Sequence, residues 1–173
     1  MKKPKIVLTS FVPIVLALYS VQAGFAEGQS LSRDKALEGV KSCSRSLSEG
    51  CNEEAAATLI GYYESGDKDL LKPLLDAGLF SDGALSESLG TFYAEVLYHE
   101  PRVFLSALNS LPKKAQHQLA RLAGSMDGSG MPKEMLRGVK SELSKVAARR
   151  NSRLSSVARL CLAEVSKANR TER

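Results

Sequence analysis

With 173 residues and 43% hydrophobic side chains, the chain is long enough for one domain with a substantial core. Three of its 24 basic residues, Lys2, Lys3 and Lys5, stand at the extreme N-terminus, which leaves 21 against 19 acidic ones. That balance argues against a nucleic-acid binder reliant on overall positive charge, and the absence of any Cys-x-x-Cys pair excludes a dithiol redox motif or zinc knuckle.

Residues 1–26 have the order of a secretory signal peptide: a basic start, an uncharged and largely apolar run from Ile6 to Val21, then small residues at Ala23 and Ala26. Cleavage is expected after Ala23 or after Ala26. An uncleaved membrane anchor is disfavoured, because Thr9, Ser10 and Pro13 interrupt a run already shorter than the roughly 20 residues of a bilayer span. The expectation is an exported chain, periplasmic or extracellular, with residues 27–173 forming a single soluble helical domain.

From there on, apolar residues recur at intervals of three and four, the period of a helix with one buried face. Ala36, Leu37, Val40, Cys43 and Leu47 form the first stripe. Asn52 before Glu53 and Glu54 reads as the cap and acidic first turn of a second helix carrying Leu59, Ile60 and Tyr63. A short third helix holds Leu70, Leu71, Leu74 and Leu75, and must start near Asp69 to leave Pro73 in its first turn. Ser81 or Asp82 caps the fourth, striped by Leu85, Leu89, Phe92, Tyr93, Val96 and Leu97. Pro101 and Pro112 each suit the first position of a new helix. Residues 124–131, with three glycines, read as a flexible loop before two longer basic helices.

No run with strand alternation is present, so the fold class is all-α, built of stacked antiparallel helical hairpins. Leu71 and Phe104, Leu75 and Leu108, and Leu89 and Leu122 are each 33 residues apart. That spacing suits a short α-solenoid of two-helix repeats, and a compact multi-helix bundle is the alternative.

Catalytic patterns dissolve on inspection. His99-Glu100 lacks the second histidine of a zinc-protease helix, since position 103 is Val. Ser110-Leu111-Pro112-Lys113 has the Ser-x-x-Lys spacing but none of the partner motifs its acylation chemistry requires. Glu53/Glu54 and Asp67/Asp69 sit at helix starts, where acids offset the dipole. The segment from Met126 to Gly130 lacks the ligand alternation of a calcium loop. No enzyme, cofactor or metal is therefore expected, and the function reads as binding to another protein.

Two surfaces are candidates. The aromatic residues after the leader all fall between Tyr62 and Phe104, and Tyr62 and Tyr98 stand off the apolar stripes as interface anchors. Residues 27–111 carry 7 basic and 14 acidic side chains, and residues 112–173 carry 14 and 5. This division favours head-to-tail self-association or a charged partner. Lys133, Arg137, Lys140, Lys145, Arg149, Arg150 and Arg153 are the candidate polyanion surface, for an anionic envelope polymer or lipid headgroups. Nucleic acid is not an expected partner.

Three cysteines follow the leader. Cys43 and Cys51 flank a turn, and a helical hairpin brings such positions within the roughly 4.4–6.8 Å that a disulfide spans between Cα atoms. Cys161 is then a free, buried thiol. The competing bridge, Cys43 with Cys161, requires a closed bundle.

Overall fold

The computed structural model describes residues 31–42, 53–149 and 152–170. Among these are eight α-helices and no strand: α1 (Arg33–Ser42), α2 (Glu53–Glu64), α3 (Leu71–Gly78), α4 (Gly83–His99), α5 (Pro101–Asn109), α6 (Lys113–Ser125), α7 (Lys133–Ala147) and α8 (Ser155–Ala168). The all-helical expectation holds, and the packing is compatible with a helical bundle. The leader with both cleavage positions, Cys43, Cys51 and Arg150 lie outside the described residues.

Helix α4 is the hub. It packs against α2, α3, α5, α6 and α7, because Leu89, Tyr93, Ala94 and Leu97 leave it fully buried and Leu85, Phe92 and Val96 nearly so. Such a wide apolar face needs neighbours on several sides. α8 lies along α6 and α7 and also reaches α5, while α1 packs on α2 and α3. Cys161 on α8 is a free thiol, fully buried. Burial pushes its pKa up to about 12, so it remains protonated and unreactive at neutral pH.

Aromatic rings link three helices through the core. Tyr63 of α2 meets Phe92 edge-on at 5.1 Å, Phe92 neighbours Tyr93 at 5.7 Å, and Tyr93 lies 6.2 Å from Phe104 of α5. Each contact adds to the area buried by the rings themselves. The fully buried Tyr93 hydroxyl donates to the Leu74 carbonyl of α3. Tyr63 differs: only 2% exposed, its hydroxyl forms no well-made hydrogen bond among the described residues and lies instead beside the Lys68 and Glu100 side chains.

Several joints depart from the sequence expectation. Pro101 does open α5, but Pro112 stands one residue before α6 with an extended backbone. Gly124, expected in a loop, is in the last turn of α6; a Cβ there would stand 2.9 Å from Val165 Cα of α8. The glycine serves close helix packing rather than flexibility. The chain then turns at Met126, a non-glycine residue at φ 50°, and Gly128 N–H donates back to the Ser125 carbonyl at 2.8 Å. The Asn169 side chain fastens this turn, with its amide donating to Gly124 and Val165 carbonyls and its oxygen accepting from Met131 N–H. Pro73 stands as expected near the start of its helix, after a 3₁₀ turn over Lys68–Leu70.

Two stability changes of opposite sign follow from the tyrosines. A Cβ on Gly78 would overlap the Tyr93 hydroxyl. Gly78→Ala is therefore expected to destabilise by about 1–3 kcal/mol, as overpacking of a tight contact does. Tyr63→Phe removes a buried, unbonded hydroxyl while keeping the ring, and is expected to stabilise by about 1 kcal/mol. Thermal or urea unfolding of the two variants checks both, and a Tyr63→Phe protein less stable than its parent would show that the hydroxyl has a partner.

Candidate functional site

The odd-numbered helices leave shallow grooves between them on one surface. Between α1 and α3, Val40, Pro73, Ala77 and Phe80 give an apolar floor beside Lys41, Lys72 and Asp76, in a recess of about 390 Å3. Between α3 and α5, Leu71, Val103 and Ala107 lie beside Lys68, Lys72 and Arg102. Between α5 and α7, Pro101, Val103 and Val146 lie beside Arg102, Lys145 and Arg149. Neighbouring grooves share Lys72, and then Arg102 and Val103, so the three recesses join into one ridged surface.

This surface is apolar where water reaches it. Val103 is 40% exposed on the ridge between two grooves and Phe80 is 43% exposed at the far end. Isolated exposed apolar residues are ordinary, but these two stand on connected grooves whose floors are apolar as well, which is the anatomy of a contact surface. Ion pairs neutralise much of the rim: Lys68 with Glu100 at 2.6 Å, Lys72 with Asp76 at 2.8 Å and Lys145 with Glu142 at 2.6 Å. Arg102 and Arg149 have no carboxylate within ion-pair distance among the described residues, and both are exposed. They stand on either side of the α5–α7 groove as its uncompensated charges.

The candidate polyanion surface is divided. At 3.6 residues per turn, Lys133, Arg137 and Lys140 share one face of α7, and Lys145 points roughly 110° away from it, with Arg149 just past the helix end on the same groove. Arg137 pairs with Glu134 at 3.7 Å. Lys133, Lys140 and Arg153 have no such partner among the described residues. Lys145 and Arg149 thus belong to the α5–α7 groove instead.

The two tyrosines also separate. Tyr62 on α2 is 38% exposed, while Tyr98 at the end of α4 is 39% exposed. Tyr98 nonetheless serves helix packing. Its ring covers Gly138 of α7, where a Cβ would approach to 2.6 Å, and it meets the His99 ring edge-on. Neither tyrosine lines the grooves described above. Val103, Phe80 and Arg102 were not singled out by sequence reasoning. Only the tertiary placement of α5 beside both α3 and α7 makes a solvent-side valine part of a floor.

No set of nucleophile, base and orienting group assembles among the described residues. The nearest to a polar constellation joins α6 and α8: His117 Nδ1 lies 2.8 Å from Glu164 Oε1, and Arg121 Nε lies 3.4 Å from Oε2. These two partners account for both carboxylate oxygens. Contact with His117, reinforced by Arg121, holds the Glu164 carboxyl below the ordinary carboxylate range. No three metal-ligating side chains lie close enough to hold an ion, and no helix is long and apolar enough to cross a membrane, among the described residues. No family model, curated protein or solved structure matches the chain.

A lowered carboxylate pKa contributes stability that is present above the unfolded-state value and lost as pH falls through the folded one. Glu164→Gln is accordingly expected to lose about 0.5–1 kcal/mol at neutral pH, the scale of pairs whose cationic members are largely solvated. The gap between parent and variant should close as pH drops below about 4, the ordinary carboxylate range. Chemical denaturation across that interval measures it; a gap independent of pH would assign the loss to packing.

Proposed function

We propose that this chain is an exported, non-catalytic interaction module that binds another protein through the grooved surface of α3, α5 and α7. The observation that carries the reading is the joined run of grooves with exposed Val103 and Phe80 along it and, at its rim, Arg102 and Arg149 without an ion-pair partner among the described residues. Interfaces are commonly built in this way, from an apolar centre, a polar rim and arginine anchors.

The finer architecture supports the same reading. The helices pair as α1 with α2 and α7 with α8, and alternate helices stack as α2–α4–α6–α8 and α1–α3–α5–α7. This is the order expected of four stacked antiparallel hairpins, and the 33-residue echo falls on the second and third of them. Stacked hairpins present long ridged surfaces to partners. Export rests on the pattern of residues 1–26 alone.

The second reading is a binder of anionic envelope polymer or lipid headgroups. It is favoured by the face of α7 that carries Lys133 and Lys140 without ion-pair partners among the described residues. The two readings respond differently to salt, because screening acts strongly on exposed charge and weakly on an apolar groove.

Photo-crosslinking in the producing cell separates them. A crosslinker at position 103 is expected to give a discrete protein adduct, whereas one at Glu87, exposed on α4, gives none. The adduct should disappear in Arg102→Glu/Arg149→Glu. A complex isolated through the groove should survive about 1 M salt, where screening confines charge interactions to roughly 3 Å. An adduct of twice the chain mass identifies a second copy, the head-to-tail pair favoured by the charge division. Capture that depends on Lys133 and Lys140 and dissolves in salt would instead support the polyanion reading.

A further inference from the structure

The row of even-numbered helices ends in α2 on one side and α8 on the other, and each turns one face to solvent. On α2 that face carries Glu53, Ala57 and Glu64, all exposed. On α8 and the turn that ends it stand Arg159, Ala163 and Arg170, exposed as well. Both trios have the spacing i, i+4 and i+11, which keeps the three positions within about 40° of one another on a helix. Their charges are opposite. α2 contains no basic residue, and the one acid of α8, Glu164, is engaged by His117 and Arg121 of α6. Glu53, Glu64 and Arg170 have no ion-pair partner among the described residues, and Arg159 bonds the Ala147 carbonyl at 3.3 Å but no carboxylate. The helix dipole accounts for Glu53 at the start of α2, but it disfavours Glu64, the last residue of that helix.

We propose that α8 of one copy docks on α2 of a second copy, so that the row of helices continues head to tail from molecule to molecule. The contact repeats one already made inside the chain. α6 and α8 run in the same direction, since His117 lies beside Glu164 while a Cβ on Gly124, further along α6, would stand 3.1 Å from the Ala168 Cβ. Charged side chains cross that contact, from His117 and Arg121 to Glu164. A second copy set in the same direction places Arg159 against Glu53, Ala163 against Ala57 and Arg170 against Glu64. Alanine meets alanine near the middle, where small side chains let the backbones approach, and opposite charges close both ends over roughly 16 Å of helix. The division of charge along the sequence thereby gains a place in the fold: its acidic part offers the α2 face and its basic part the α8 face. A contact between unlike faces builds open chains or rings of copies.

This contact lies away from the grooves of the odd-numbered helices, so it and the protein-binding reading can fail separately. The test is sedimentation velocity of the full chain, recovered from its producing cell, over a concentration series at two salt levels. At about 0.1 M salt, where charges act over about 10 Å, the mean mass is expected to rise with concentration. At about 1 M, where they act over about 3 Å, the chain is expected to be monomeric. Glu53→Lys/Glu64→Lys and Arg159→Glu/Arg170→Glu should each weaken association about tenfold or more, by setting like charges against each other. Their equimolar mixture should associate again, because the native α8 face of the first variant meets the native α2 face of the second. A folding defect gives no such rescue. The proposal is overturned by a monomer at both salt levels up to about 1 mM, the scale of the weakest specific contacts. It is also overturned by association that survives about 1 M salt or either double reversal, or by a mixture no better than its components. Association lost in Arg102→Glu/Arg149→Glu would place the contact in the α5–α7 groove and overturn it too.

Discussion

The structure depends on how closely α3 can approach α4, and a single contact sets that distance. Tyr93 stands in the middle of α4 with no exposed surface, and its hydroxyl donates to the Leu74 carbonyl over the bare Cα of Gly78. Any side chain at Gly78 would occupy the hydroxyl's place. Because Tyr93 also lies beside Phe92 and Phe104, the same ring fixes the spacing of α5. The grooves that flank α3 and α5 inherit their width from it. A buried phenol is acceptable here because it is bonded; burial raises its pKa, so it stays a donor at every ordinary pH.

Three further glycines set helix distances in the same manner. A Cβ at Gly90 of α4 would collide with the Met126 carbonyl, one at Gly124 would crowd α8, and one at Gly138 would strike the Tyr98 ring. The helices, their apolar stripes and the proline at the head of α5 were legible in the sequence, because each depends on residues within one turn of its neighbours. These glycines were not. A sequence displays the conformational freedom of glycine, whereas here its use is the absence of a side chain, and only the neighbouring helix reveals that. Gly124 illustrates the point, since its place in a glycine-rich run suggested a loop, whereas it lets α6 lie against α8.

The candidate site was less legible than the fold, for a related reason. Its lining comes from α1, α3, α5 and α7, so no single stretch of sequence carries its signature. The basic residues in and after α7 were conspicuous, but helical geometry sends Lys145 to a different side from Lys133 and Lys140, and Arg149 joins it in the α5–α7 groove. Charge counts also overstate what a partner meets. Lys68, Lys72 and Lys145 count as cations in the sequence, yet each is matched by a carboxylate, two of them within a single helix. Among the described residues, Arg102 and Arg149 are the rim cations without a carboxylate partner in the α5–α7 groove. Their guanidinium groups suit planar, bidentate recognition of a carboxylate better than a diffuse polyanion requires.

Tyr62 and Tyr63 show how the same residue type divides its roles. One helical step separates them, and that step takes Tyr62 to 38% exposure and Tyr63 to 2%. Phe92 beside it packs edge-on with no hydroxyl at all, so the ring of Tyr63, not its oxygen, makes the core contact. Tyr93 bonds its hydroxyl to the Leu74 carbonyl, whereas that of Tyr63 lies beside the Lys68–Glu100 pair. A phenol placed there gives the ammonium of a half-exposed ion pair an aromatic face to lie on, 4.1 Å from the ring centroid, and so ties the turn after α2 to the end of α4.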